Sequence, residues 1–406
     1  MPLIFTLVFL GFFAGALVAP IFSPLFLHPD HGGGLLAASA STATKAFFLG
    51  TVLSAARLGE FVGSPILGRL SDRFGRKPLL ALAMALTTAG NLINVLAIVQ
   101  HNVWILITGQ FLIGFAGVLL VLTQSEIAHR HHGPEKTHRF GLIYMASSLA
   151  YVFAPAIGGH LGDVSKYPWA SYTLPFYAAA AISALCVVLI VWRFPASTTN
   201  KPSPESPVSF NPLRGITKDI PWPTLRMLLL INFIIYIGID FVFQFNPVYF
   251  VQTWHFTSAR VGWFMSFTSI AMVLTQWLLV KPVGKRLSPR RATAFSAMML
   301  GLLLISLVLP GNWSWLYLIL PLVGATMALA TTNMSALISE SAPPDAQGHL
   351  LGVAHSVRVF GSALLCFTGG ILTGFNAKLP ILLGAAASLI AAILLKKSRF
   401  PQRSPD

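Results

Sequence analysis

The sequence predicts an all-α membrane protein of twelve transmembrane helices arranged as two pseudo-symmetric six-helix bundles. Three observations predict it. Mean hydropathy is +0.73, and 55% of the 406 residues are apolar against 10% charged, which excludes an ordinary water-soluble domain. Several apolar runs exceed the roughly 18 residues at which a spanning helix becomes the default reading. The charge is also sorted along the chain. Lys45, Lys166, Arg260 and Lys378 fall near one face of the bilayer, and Arg57 and Arg358 lie inside apolar runs. The other Lys and Arg gather in the alternate loops and the C-terminal tail. That is the positive-inside pattern, and it predicts both termini in the cytoplasm. The net charge of +15 therefore reports topology, and no nucleic-acid partner is expected.

Taken in order, the first run (3–27) starts too early for a basic leader and is too long for a signal segment, so it reads as a retained helix. Residues 28–42, with Pro29, Asp30 and three consecutive glycines, read as an outside loop. The next spans are 43–67, 78–100, 103–126, 141–162 and 172–194. The inside loop 127–140 carries Arg130, Lys136, Arg139 and four histidines (His129, His131, His132, His138). A polar loop explains these histidines more simply than a metal site does, so no metal is predicted. Residues 195–225, rich in Pro and Ser, read as a cytoplasmic linker. It separates an N-terminal bundle (1–194) from a C-terminal one (226–406), whose spans are 226–250, 259–281, 292–310, 313–339, 347–374 and 378–396. Cys186 and Cys366 both fall in spans and read as small buried hydrophobes without a disulfide.

The ten residues from Gly68 to Lys77 (GRLSDRFGRK) put five charged residues between two apolar runs. They read as a short cytoplasmic loop in which Gly68 allows close backbone approach and Gly75 a tight turn. Asp72 can meet a helix N-terminus or neighbouring cations such as Arg73 and Arg76. The loop 281–291 repeats this basic punctuation without the Asp, and Ser125-Glu126 closes span 4 as Ser339-Glu340 closes span 10. The pattern at 68–77 resembles the loop signature of the major facilitator superfamily, and the resemblance covers the chain from span count to linker. Six-plus-six repeats of that kind hold substrate near the bilayer midplane between the halves. In span 5, Ala150 to Gly159 (AYVFAPAIGG) is similar to the family's antiporter motif, including Pro155, Gly158 and Gly159. Residues 342–348 (APPDAQG) are similar to the tetracycline-efflux branch. So is the run Val248-Tyr249-Phe250 … Gly262 … Lys281-Pro282-Val283. Two departures weaken the usual proton-coupling scheme. Gln110 stands where that signature has Arg, and Gly11 where many antiporters have Asp.

Ionisable groups at membrane depth are costly and are functional candidates by default. Arg57 and Glu60 are spaced to pair, and Ser64 continues their face. In span 7, Asn232, Tyr236, Asp240 and Gln244 recur every four residues as one polar stripe. His355, Arg358 and Ser362 make a similar face in span 11. Asn333 in span 10 and Gln124 in span 4 complete the expected substrate cavity. Asp240 and Glu60 are the expected proton carriers. The resemblance implies a gating role for Gly68, Asp72, Arg73, Gly75 and Arg76, and Glu126 and Glu340 read as helix-end latches.

The resulting expectation is a multi-pass protein of a bacterial inner membrane, monomeric, whose partners are the bilayer and a small substrate. It uses no cofactor and draws energy from a proton gradient. It exports a small amphipathic compound by proton antiport. The alternative is transport of an anionic metabolite or carboxylate-rich siderophore, since Arg57 and Arg358 would suit a carboxylate clamp. A non-transporting receptor or scaffold would tolerate loss of the buried charges. No nucleophile motif or nucleotide loop points to an enzyme.

Overall fold

The computed structural model describes residues 2–28, 35–37, 39–130, 133–194, 222–341 and 347–398. Twelve helices among them are long and apolar enough to cross a bilayer. They are α1 (Pro2–Leu27), α2 (Thr42–Ser71), α3 (Arg76–Val99), α4 (Val103–Gln124), α5 (Gly141–Leu161), α6 (Leu174–Arg193), α7 (Leu225–Trp254), α8 (Ser258–Leu278), α9 (Pro289–Val308), α10 (Trp313–Glu340), α11 (Leu350–Phe375) and α12 (Lys378–Lys397). Each coincides with one predicted span, shifted by a few residues at its ends. The linker residues 195–221, residues 29–34, His131 and His132, and residues 342–346 lie outside the described part. So do the side chains of Asp72, His129 and His138.

Local chemistry sets several of these boundaries. The Ser41 side chain caps α2 by accepting from the Thr44 N–H, and Asn102 caps α4 by accepting from Trp104 and Ile105. The ten-residue loop expected at 68–77 is nearly absent. The α2 helix continues to Phe74, only Gly75 leaves helical geometry, at φ 92°, and helix resumes at Arg76. No residue from Gly68 to Phe74 breaks a helix, whereas a positive φ favours glycine. Among the described residues, no side chain or backbone lies close beside Gly68. The expected loop 281–291 likewise holds a short helix, Val280–Arg286. Span 4 reads as one rod in the sequence but is interrupted at 116–118, between helices Val103–Phe115 and Leu119–Arg130.

The two halves use the same pairings. In the first, α1 packs on α5, α2 on α4, and α3 on α4 and α6. In the second, α9 packs on α10 and α12. There α7 meets α11 through the Asn232–Ala354 hydrogen bond, and Gly324 of α10 rests on Thr268 of α8. The pairs α1–α5, α2–α4 and α3–α6 thus recur as α7–α11, α8–α10 and α9–α12, which is the six-helix repeat in physical form. Compactness cuts across this order. One unit comprises Met1–Pro204, Pro247–Ser266 and Cys366–Phe375, and the other Glu205–Asn246, Phe267–Leu365 and Asn376–Asp406.

Large apolar side chains stand uncovered along the helices, and Trp104, Trp192 and Trp277 near span ends are 66%, 80% and 79% exposed. Such surfaces suit lipid rather than water, with indole rings at the interfacial level.

Candidate functional site

The densest polar group of the second unit is built on α7 and α11. The helix containing α7 runs unbroken from Trp222 to Trp254, so positions four apart share a face. Asn232 is 3% exposed and donates from Nδ2 to the Ala354 carbonyl at 3.3 Å. One turn on, the Tyr236 ring lies 4.9 Å beneath the Arg358 guanidinium. Arg358 also donates to His355 Nδ1 at 2.9 Å. A guanidinium has no acceptor, so Nδ1 must carry a lone pair and the imidazole its proton on Nε2. The Arg358 side chain is thereby held over an aromatic face with one nitrogen engaged, which preorganises the guanidinium for an anion. Asp240, buried at 8% exposure, stands a further turn along α7, and Gln244 follows it half-buried.

The structure therefore brings Asn232, Tyr236, His355 and Arg358 together. Further along the same helix, Asn246 is also buried, at 4% exposure, and its Oδ1 finds no partner among the described residues. Asn246 lies six residues beyond Asp240 and so off the four-residue stripe, which is why the spacing argument passed over it. Asn333 spends its amide on its own helix, donating to the Leu329 carbonyl at 2.8 Å. Among the described residues no hydrogen bond joins it to the α7–α11 group.

The first unit holds three separate polar arrangements. On α2, Arg57 and Glu60 form a 3.0 Å ion pair, with side chains 36% and 18% exposed. At the ends of α3 and α4, Arg76 pairs with Glu126 at 2.9 Å. Glu126 is 1% exposed and Arg76 16%, so a residue of the 68–77 motif closes onto a helix-end carboxylate. Nearby, Gln124 donates to the Tyr144 hydroxyl at 2.8 Å. Arg73 is exposed, its guanidinium 5.4 Å from the Phe74 ring. Glu340 is exposed and makes no ion pair among the described residues.

The third arrangement is a seam between the end of α5 and the start of α8. Ala156 N–H donates to Ser266 Oγ at 3.0 Å, and Ser258 Oγ to the Gly162 carbonyl at 3.0 Å. Thr257 Oγ1 donates to Asp163 Oδ2 at 2.9 Å. A side chain at Gly159 would strike the Ser258 backbone, one at Gly262 the Pro155 carbonyl, and one at Gly158 the Leu17 backbone. Adjacent glycines thus dock α5 against α8 on one side and α1 on the other. Asp163 is 1% exposed. Burial, reinforced by the Asp163 charge, pushes the Tyr172 hydroxyl well above the ordinary tyrosine range. The sequence reading missed Asp163, Thr257 and Ser258. The available signal was a carboxylate placed four residues after the Gly158-Gly159 pair.

Both departures from the antiporter pattern have a packing setting. A side chain at Gly11 would meet the flexible tip of Leu119 of α4, which would have to turn aside to admit it. Gln110 is 6% exposed, and its Nε2 has no hydrogen-bond partner among the described residues. Among the described residues, neither side-chain polar atom of Asn94 in α3 has a hydrogen-bond partner.

The Major Facilitator Superfamily family model matches residues 4–365 and 228–406. The chain belongs to the Major Facilitator Superfamily. As a member of that superfamily it is a multi-pass membrane transporter and not an enzyme. It is 25% identical to the class C tetracycline resistance protein of Escherichia coli, over 79% of this chain and 78% of that protein. It is 28% identical to the class D protein of Salmonella ordonez, over 75% of each. Among solved structures, the human organic anion transporter MFSD10 (TETRAN) superposes with a TM-score of 0.70 at 17% identity. That match covers 97% of this chain and 99% of the other, and at this identity it speaks for the fold.

Proposed function

We propose that this transporter exports a small amphipathic compound from the bacterial cytoplasm by proton antiport with alternating access. One observation carries the reading: Asp240, an ionisable residue in the middle of an apolar helix, is held at 8% exposure one turn from the Arg358–Tyr236 stack. A carboxylate at that depth is costly to keep ionised, which makes its protonation a means of coupling. The likeness to tetracycline resistance proteins supports a drug-like substrate. Glu60, already paired with Arg57, is the second proton-carrying candidate. The Arg76–Glu126 pair and the α5–α8 seam are the two latches that would exchange during the cycle. Both termini lie in the cytoplasm in this reading. The test is transport by purified protein in liposomes. An imposed proton gradient should accelerate tetracycline movement severalfold over protein-free vesicles, and a panel of amphipathic compounds unaffected by the gradient would reject antiport.

A second reading is favoured by a specific geometry. Arg358, stacked on Tyr236 and hydrogen-bonded to His355, is arranged to receive a carboxylate. If the substrate is anionic, Arg358→Ala should weaken binding of a carboxylated ligand by roughly tenfold or more, the loss of one charge-assisted hydrogen bond of about 1.5–3 kcal/mol. Its neutral ester should bind almost unchanged. Equal losses for acid and ester, measured by calorimetry, would reject the clamp and leave the amphipathic-drug reading standing.

A further inference from the structure

We propose that the short helix Val280–Arg286, with the last turn of α8 before it, lies in the headgroup layer of the bilayer and gathers anionic phospholipid there. None of the seven residues of that helix is buried. The turn leading into it projects in the same way. Gln276, Trp277, Leu278 and Leu279 point in successive directions about the helix axis, roughly 100° apart, and all four are exposed. Trp277, Leu278 and Leu279 are 79%, 54% and 45% exposed. A segment lining a transport path turns one face to it and packs the other against protein, whereas this one packs neither. Three large apolar side chains standing free on every side are unfavourable in water. At the end of a spanning helix they are favourable where hydrocarbon meets headgroups, the level at which indole rings collect.

Charge selects the lipid. Lys281, Lys285, Arg286 and Arg291 are exposed, and Lys281 and Lys285, four residues apart, share a face. Among the described residues the salt bridges join Arg57 to Glu60 and Arg76 to Glu126, so none of these four cations is neutralised. Neither α8, α9 nor their connection contains an Asp or Glu. The first half is different, because there the basic turn closes onto Glu126 through Arg76. Glu340, which ends α10 as Glu126 ends span 4, is exposed and reaches no cation. Arg290 instead donates to the Leu395 and Lys396 carbonyls at 2.8 and 3.0 Å and so fastens α9 to the end of α12. The second-half turn is thereby anchored at its base while its outer cations stay available. Four Lys and Arg beside exposed apolar residues at the end of a span attract anionic over zwitterionic headgroups.

The experiment places a nitroxide on Gly284→Cys in the full-length protein, at a position where an added Cβ meets no atom within 4 Å. Cys186 and Cys366 are buried and do not compete for the label. Collisions with oxygen, concentrated in lipid, and with a nickel chelate, confined to water, are read in nanodiscs of phosphatidylcholine alone and of phosphatidylcholine with equimolar phosphatidylglycerol. The label should lie at headgroup depth in the mixed bilayer and closer to water in phosphatidylcholine. Lys281→Gln and Lys285→Gln should each shift the ratio of seated to water-exposed label about fivefold toward water, the factor one basic residue is worth beside an anionic surface. Lys281→Arg should keep the wild-type depth, and Lys378→Gln, at the other end of α12, should change nothing. Equal depth in the two bilayers, or an unchanged depth in the Lys281→Gln, Lys285→Gln double variant, would overturn the proposal. Protection from the chelate by polyglutamate but not by phosphatidylglycerol would assign the surface to an acidic peptide and overturn it as well.

Discussion

Asp240→Asn should lower gradient-driven transport to the level of protein-free vesicles while leaving the protein folded and able to exchange substrate without a gradient. Asn keeps the shape of the side chain and can still hydrogen-bond, but it cannot take up a proton. The wild-type group sits in α7 at 8% exposure. Ionised Asp at the centre of a spanning helix costs about 2.5–3.5 kcal/mol on insertion scales. The substitution removes that cost, so melting temperature should hold or rise while coupling disappears. A driven rate equal to wild type would remove Asp240 from the mechanism and move attention to Glu60. Counterflow under equal pH separates the two roles, because a substrate-binding residue would lose exchange and a coupling residue would not.

The second large effect concerns the Arg76–Glu126 pair. Arg76→Ala leaves the carboxylate of Glu126, 1% exposed, without its cation. Removing one partner of a buried pair costs about 3–5 kcal/mol, more than the pair contributes relative to apolar residues of similar volume. Arg76→Ala should therefore lower thermal stability sharply. The double variant Arg76→Met with Glu126→Leu should recover most of the stability and still transport poorly, because a latch that cannot be broken or hydrated no longer cycles. Wild-type melting in Arg76→Ala, or wild-type transport in the double variant, would show that the pair neither holds the α3–α4 ends nor gates the cycle.

Certain residues show why parts of this protein were legible in advance. The spans could be read because hydrocarbon admits only apolar helices whose backbone bonds are internally satisfied, and that requirement is written into composition over some twenty residues. The Arg57–Glu60 pair was legible because a three-residue spacing fixes geometry on any helix. The Asn232–Gln244 stripe was legible for the same reason, although the spacing could not say that Arg358 would lie over Tyr236. Glu126 could be marked as a helix-end carboxylate, but its partner is 50 residues away and only packing of α3 beside α4 reveals it. Asp163 was missed altogether. Its contact with Thr257 spans 94 residues, and the one local mark, a carboxylate just after the Gly158-Gly159 pair, does not say which partner it meets.

The two misjudged connections follow the same division. Charge density at 68–77 predicts a loop, yet Lys and Arg are good helix formers and only Gly75 needs a backbone angle that other residues resist. The sequence by itself determined the number, order and apolar character of the helices and the positions of the costly polar groups within them. These follow from one-dimensional quantities, the thickness of the bilayer and the pitch of a helix. Only the tertiary structure decided which polar groups meet across helices: Arg358 with Tyr236, Arg76 with Glu126, Asp163 with Thr257. Such meetings depend on side-chain shape where helices cross, as at Gly158, Gly159 and Gly262 in the α5–α8 seam, and a crossing contact has no periodic signature in the chain that makes it.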